Sequence, residues 1–468
     1  MAEAADLTPL QWLARLGKKL VDRQPEVRYY QRYFDGNHDL PSGPNQHREA
    51  FERFQRLART NLCRLCSEAM VHRTSAIGFR DPGWTSIDEP DPVWRLWQQA
   101  KLDARQYVIW RKMYALGAAY VVVGVDPERP DTPRVTIEGP DTMIVETDPA
   151  DSSRRLAALR LWHDPIVKRW MVTLYLRGDR GQMGWRYHWQ STKEAKRNSL
   201  TGGLSWREEA WEPRAEPARA AASVPVVPFL NGDEGETPAP AFAPGLDVQN
   251  RLNLTLLNRL TSERYAAFRQ SILLNYIADE DPVTGIPIAP WKPGVTQIGT
   301  IPPPETPGDP AVQLVQLQQT DTTQMLRAVE ADMRAFAAVT LTPVYYLPGD
   351  MTNLGADTVA ALDAGHNAKI KQGIAVCSEG LEEVLQLMAD VAGLDRDLSD
   401  SEMVFARPEN FLPSQVGDML VKFKDAGVPL PMAVEEAGWS PQRVDRLRAE
   451  VASQQVIAGL TAPEQTGT

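Results

Sequence analysis

Residues 245–274 are patterned as a helix with more apolar surface than one core can take up. Projected at 100° per residue, Leu252, Leu254, Leu256, Leu257, Leu260, Phe268 and Ile272 spread over roughly 200°, whereas a helix lying on a single core needs an apolar stripe only a little wider than about 100°. Such an element must be covered on two sides. Its remaining arc is polar, with Arg251, Thr255, Asn258, Arg259 and Ser262, which argues against a bilayer span.

A second helical pattern follows. Asp321 and Gln324 stand at capping-box spacing, and Leu326, Val329, Met333 and Phe336 recur on one face until the pattern stops near Thr340. Between the two helices, Pro282, Pro287, Pro290, Pro293, the run Pro302 to Pro304, Pro307 and Pro310 preclude helix and favour extended strands and turns. Two helices thus bracket an irregular protrusion.

Before this hairpin, Thr8 and Pro9 provide the cap and first turn of a helix over 8–34, with Leu10, Leu13, Leu16 and Leu20 at helical spacing. Turn residues at 35–38 and 41–44 interrupt it. Helix is predicted again over 46–76, then a turn-rich link at 77–92 and two helices within 91–116. The β-branched run at 119–125 reads as a strand, and short strands are expected at 134–137, 143–147, 156–163, 170–176 and 185–189, which makes an antiparallel β region. Residues 190–222 are polar enough for a solvated hairpin or loop, and Pro225 and Pro228 keep 224–230 at a sheet edge. After the second helix come a loop over 341–355, a helix over 356–392 whose Gly365, Gly373 and Gly380 suggest a bend, and smaller helices near 413–427, 430–437 and 440–455.

At 468 residues the chain exceeds what one hydrophobic core supports, so two or more lobes are expected. Its net charge of −11 and pI near 5.2 argue against gripping nucleic acid by phosphate neutralisation, although a surface that DNA slides past need not be basic. Three cysteines make no disulfide framework, and the start MAEAADLTPLQW lacks a basic stretch followed by an apolar run. A chain made in a reducing cytoplasm, without a membrane span, is the expectation.

No phosphate-loop, dinucleotide, HExxH or GxSxG pattern is present, which lowers the case for an enzyme; no cofactor is expected. Cys63 and Cys66, with His72, have the start of a zinc spacing, but no second ligand pair follows and Cys377 is distant. Two thiols packed on one helix face is the simpler account. His163 with Asp164, and Asp279, Glu280 and Asp281, could pair for acid–base work but read as solvated polar positions. The thirteen tryptophans fall mostly among strand signals and point to packing rather than base stacking.

Several stretches taken together resemble the portal proteins of tailed double-stranded DNA bacteriophages, in the long-tailed branch. These are YYQRYFDGNH at 29–38, NLCRLCSEAMVHR at 61–73 followed by GFR at 78–80, ALGAAYVVVG at 115–124, VPVVPFLN at 224–231 and AAFRQ at 266–270. Cys66 and His72 depart from the expected pattern. Each stretch is weak alone; their colinear order is specific.

The resemblance implies an α+β portal fold: an α/β wing (1–244), stem helix 1 (245–274), a Pro-rich clip (275–315), stem helix 2 (316–339), a tunnel loop (340–355), a bent helix returning to the wing (356–395), and a helical crown and tail (396–468). It further implies a non-enzymatic ring of about twelve copies around a double-stranded DNA channel, with heterologous interfaces. Implied partners are the terminase large subunit, a head–tail adaptor, and major capsid and scaffolding proteins. The implied location is the portal vertex of the virion, and the host cytoplasm during assembly. By this resemblance Met351, Thr352, Asn353 and Leu354 would approach DNA, Lys369 and Lys371 are candidate phosphate contacts, Leu252, Leu256, Leu260 and Phe268 would lie between subunits, and Trp291 and Ile298 would meet partners at the clip. The alternatives are a head–tail connector without a portal role and a cytosolic enzyme with an unrecognised site.

Overall fold

Thr8 opens the first helix, α1 (Pro9–Phe34), through a reciprocal capping box. The Gln11 amide donates to Thr8 Oγ1 at 3.3 Å, and the Thr8 amide donates to Gln11 Oε1 at 2.8 Å. Trp12, Leu13, Leu16 and Leu20 then repeat at helical spacing and are buried. They pack on one face of a five-stranded sheet, against Leu159, Leu161, Val172 and Leu174. The computed structural model describes residues 7–39, 55–84, 86, 89, 91–126, 128–178, 182–194, 204–219, 223–232, 237–266, 271–274, 283–284, 313–316, 323–347, 356–409 and 413–461.

That sheet is wholly antiparallel, in the order β4-β5-β6-β7-β8: β4 (Met143–Asp148), β5 (Asp151–Asp164), β6 (Arg169–Leu176), β7 (Trp185–Ser191) and β8 (Trp211–Arg219). Strand alternation sends Ala158 and Tyr175 to the face away from α1, where they meet a second sheet. The latter has the order β3-β2-β9, with β2 (Ala118–Val125) between β3 (Pro133–Glu138) and β9 (Val226–Leu230). Pro228 thus lies on an edge strand, where its missing amide proton costs least. Arg15 and Lys19 of α1 both reach Glu146, at 2.9 and 2.6 Å, and Arg23 donates to the Pro140 carbonyl at 2.6 Å.

The remaining helices of this layer are α2 (Leu62–Arg73), α3 (Pro92–Gln99), α4 (Leu102–Leu116) and the long α7 (Ala356–Val391). Strand β1 (Ala76–Arg80) pairs with β12 (Glu402–Phe405), and α8 (Pro413–Asp425), α9 (Leu430–Glu436) and α10 (Pro441–Thr461) follow. Between the two halves of the chain come α5 (Leu246–Ala266), α6 (Thr323–Thr340) and the short pair β10 (Ser271–Leu274) and β11 (Gln313–Gln316). The chain divides into two compact units, one of Met1–Asp39, Asn61–Gln249 and Arg334–Thr468, the other of Leu40–Thr60 and Asn250–Met333.

Four local expectations need correction. The helix predicted over 46–76 is not continuous: residues 59–61 are non-helical, and Asn61 restarts the chain by capping α2 through the Arg64 amide. The link at 77–92 contains β1, whose partner lies more than three hundred residues away and so leaves no local signal. Residues 190–222 include β8, which pairs with β7 despite two prolines because it is the sheet's edge. The helix expected over 245–274 ends at Ala266, and Ile272 lies in β10.

Two of the three glycines of α7 make room for neighbouring rings. A Cβ at Gly373 would lie 2.6 Å from Tyr114 Oη, and one at Gly380 would lie 2.7 Å from Phe229 Cε1. Both allow α7 to approach α4 and β9 closely, with Trp110 packed edge-on to Phe229. Gly380→Ala is therefore expected to destabilise by about 1–3 kcal/mol through overpacking. Gly417→Ala in α8, where nothing lies within 4 Å, should be neutral or stabilising by up to about 1 kcal/mol. Urea denaturation of the two variants beside the parent checks both signs.

Candidate functional site

The end of α6 leads directly into the 341–355 loop, and the first turn of that loop is tied down by buried polar groups. Helix α6 stops with Leu341 in the left-handed region, at φ 54°. The Thr342 amide then closes back onto the Ala337 carbonyl at 2.9 Å, the six-to-one bond of a Schellman ending. Thr340 Oγ1 donates to the Phe336 carbonyl at 2.8 Å and lies 2.8 Å from Thr342 Oγ1. Pro343 follows and starts a 3-10 turn over Val344–Tyr346.

Helix α7 supplies one wall of this turn and α2 the other. Asp363, His366, Asn367 and Ile370 are spaced i, i+3, i+4 and i+7, so they share one face of α7, and all four are buried. From α2, Arg73 enters with its side chain only 6% exposed, opposite Asp363 at 5%. Its Nη1 donates to Asn367 Oδ1 at 2.9 Å. Its Nη2 donates to Tyr345 Oη at 2.7 Å, Tyr346 Oη at 3.0 Å and Asp363 Oδ2 at 3.1 Å. Tyr345 Oη donates in turn to Asp363, at 2.7 and 2.8 Å. Burial, together with this carboxylate, pushes the Tyr345 phenol above its ordinary range. The Arg73 guanidinium also stands 5.7 Å from the Tyr346 ring centre.

His366 Nδ1 donates to the Leu341 carbonyl at 2.9 Å, which leaves the proton off Nε2, a buried atom without a partner among the described residues. Burial first, and then the nearby Arg73 and Lys369 charges, hold the imidazole pKa down to about 4. Lys369 Nζ donates to the carbonyls of Thr340 and Ala241, at 3.1 and 3.2 Å, so a cation sits at the C-terminus of α6 where the helix dipole favours one. The ammonium expected to contact phosphate is thus engaged with its own backbone. Lys371 is exposed and pairs with Glu409 at 2.5 Å. Sequence reasoning missed Arg73, Tyr345, Tyr346, Asp363, His366 and Asn367; the i, i+3, i+4 spacing of the α7 polar residues was the available signal.

Within the smaller unit, Arg251 of α5 pairs with Asp332 of α6 at 2.7 Å, and Thr255 Oγ1 donates to the same carboxylate at 3.2 Å. Leu252 and Leu257 are buried, at 0% and 7%, while Leu254 is 45% exposed and Leu256 and Leu260 are half-buried. Phe268, Trp291, Ile298, Met351, Thr352, Asn353 and Leu354 lie outside the described residues.

The family described as "Phage portal protein, SPP1 Gp6-like" matches residues 23–404, most of the chain. The chain belongs to this phage portal family. No curated protein matches it. Among solved structures, a chain in the "Neck of empty GTA particle computed with C6 symmetry" is 12% identical, with 83% of this chain and 91% of that chain covered, at a TM-score of 0.39. Family membership makes this α+β chain a portal-type connector component of a phage particle and places it in a structural family.

The residues that could have suggested chemistry in this portal protein have packing or turn roles instead. Cys66 is buried beside the hydroxyls of Thr340 and Thr342, and burial pushes its thiol up; Cys63 is buried beside Gln249. His72 is 71% exposed and faces Glu68, and no group of three metal-ligating side chains occurs among the described residues. His163 meets the edge of Trp170, and Asp164 caps a turn through the Ile166 amide at 2.8 Å. Asp279, Glu280 and Asp281 fall outside the described residues. Trp97, Trp110, Trp170, Trp189 and Trp211 are buried. No helix among the described residues is long and apolar enough to cross a membrane.

Two measurements probe the loop anchor. Asp363→Ala strands the buried Arg73 charge and should cost about 3–5 kcal/mol, whereas Arg73→Met with Asp363→Leu should cost much less or nothing; urea midpoints would order the three proteins. His366 is neutral in the fold down to about pH 4, while an unfolded histidine takes up its proton near 6.5. Between those values the unfolded chain binds more protons, so His366 makes stability fall as pH falls from about 6.5 towards about 4. His366→Asn, which keeps a donor near Leu341, should give a shallower loss across that window in melts recorded at stepped pH.

Proposed function

We propose that the protein assembles into a closed ring of about twelve copies around a channel for double-stranded DNA, at one vertex of a phage capsid. The observation that supports it best is the division of apolar surface on α5. Leu254 is exposed and Leu256 and Leu260 are half-exposed although they share one wide apolar arc with the buried Leu252 and Leu257, so a lone copy leaves part of that arc uncovered. A neighbouring copy on each side of the ring would cover it.

In that arrangement α5 and α6 form the stem, residues 275–315 the clip and residues 341–355 the tunnel loop. Met351, Thr352, Asn353 and Leu354 approach the DNA, and the Arg73 anchor fixes the direction in which that loop leaves α6. Of the two lysines, Lys371 is the better phosphate contact, because Lys369 is hydrogen-bonded to two carbonyls. Phe268 adds to the stem interface. The clip, through Trp291 and Ile298, meets the terminase large subunit during packaging and a head–tail adaptor afterwards, and capsid and scaffolding proteins surround the ring, which is built in the host cytoplasm. The net charge of −11 suits a conduit, since a channel that must pass DNA quickly should not hold its phosphates. ATP hydrolysis belongs to the terminase.

Negative-stain microscopy of the purified full chain tests this reading: rings with an open centre are expected, and monomers at high concentration would overturn it. Rings lacking a through-hole would favour the connector alternative. At residue level, Leu254→Asp with Leu260→Asp should abolish rings and leave the circular dichroism spectrum unchanged. Leu252→Asp should instead lower the stability of the chain itself.

A further inference from the structure

The face of the five-stranded sheet turned away from α1 is covered by β2 over only part of its width. The uncovered part is basic. Register puts Arg160 of β5 opposite Thr173 of β6, Thr173 opposite His188 of β7, and Arg186 of β7 opposite Tyr175 of β6, all on one face by strand alternation. Arg214 of β8 and Arg134 of β3 complete the lining of a cleft of about 670 Å³. Four guanidiniums therefore border one concavity of a chain whose overall charge is strongly negative.

Their charges are poorly compensated. Glu138 pairs with Arg160 at 2.6 Å, but no carboxylate pairs with Arg134, Arg186 or Arg214 among the described residues, and Arg214 Nη1 has only the Met171 sulfur at 3.4 Å. The Nε atoms of Arg160 and Arg186 are buried without a hydrogen-bond partner among the described residues. Burial first, and then Arg186, Arg214 and Arg160, push the His188 pKa below its ordinary value, and its side chain lines the same cleft. Its Nδ1 lies 3.0 Å from Thr173 Oγ1. A cleft in which three of four forked donors lack a carboxylate partner among the described residues is suited to planar carboxylates or to phosphate.

We propose that this cleft is a docking site for an acidic peptide segment of a partner protein. A nucleic-acid strand fits less well, for two reasons. The aromatic faces needed for base stacking are taken: Arg160 covers Trp162 at 4.7 Å, and Tyr175 packs against β2 and β9. A strand would also run on beyond the cleft over the surface of an acidic chain, whereas a short peptide ends within reach of the arginines, at about one screening length.

Fluorescence anisotropy of a labelled oligoglutamate peptide titrated with the full chain tests the assignment. Binding is expected that weakens between about 50 and about 300 mM salt and drops about ten-fold or more in Arg186→Gln with Arg214→Gln. Because Arg186 is partly buried, Arg134→Gln with Arg214→Gln serves as a second variant at two exposed positions, and it should weaken binding with an unchanged thermal melt. Absence of peptide binding by the parent, or binding by both variants as tight as the parent's, would overturn the proposal. So would tighter binding of a single-stranded oligonucleotide of similar length, which would make the cleft a nucleic-acid track.

Discussion

A charge that leaves water must be met by partners placed for it, and Arg73 imposes that demand on three separate parts of this chain. It stands at the end of α2 and is met by Asp363 and Asn367 of α7 and by the phenols of Tyr345 and Tyr346 at the start of the 341–355 loop. Desolvating such a pair costs several kcal/mol per ion, so its net contribution to stability is small. What it supplies is specificity: a shift of one helical turn in α7, or of one residue in the 3-10 turn, would leave a buried charge uncompensated. Hydrophobic contacts tolerate sliding, and this network does not. The loop therefore leaves α6 in one direction.

Helix α7 is held in place by the same logic at a larger scale. At its N-terminal end polar groups set the register, and along its middle Gly373 and Gly380 admit Tyr114 and Phe229 to a distance that any side chain would prevent. Arg155 of β5 pairs with Glu383 further on. One long helix thus receives the loop root, the buried face of the three-stranded sheet and a tether from the five-stranded sheet. The start of the loop, Leu341–Leu347, is thereby tied to the main core through Tyr345 and Tyr346.

Most of the element order was legible because it rests on local patterns. Thr8, Pro9 and the leucine repeat specify α1, and the β-branched run at 119–125 specifies β2. What was not legible depends on partners distant in sequence. Strand β1 exists because β12 pairs with it, and β8 because β7 does. The glycines of α7 carry no sign that aromatic rings from α4 and β9 will fill the space beside them. The loop anchor was hidden for the same reason: Arg73 and Asp363 are 290 positions apart, and each alone reads as a surface residue. The wide apolar arc on α5 was visible, but not which leucines the chain itself would bury; the split between Leu252 and Leu254 required coordinates.

Leu341 shows how strongly the surroundings determine this turn. A non-glycine residue in the left-handed region costs roughly 1–2 kcal/mol, and a glycine there would remove the cost. The conformation persists because the residues on either side are fixed independently: Thr342 by its bond to Ala337, the Leu341 carbonyl by His366, and the Thr340 carbonyl by Lys369. Two elements, α6 through Ala337 and α7 through His366 and Lys369, thus converge on one peptide segment at the entry to the 341–355 loop. Strain that is over-determined in this way holds a short segment in one conformation. In the ring proposed above, every copy would then present the segment Leu341–Leu347 from the same angle.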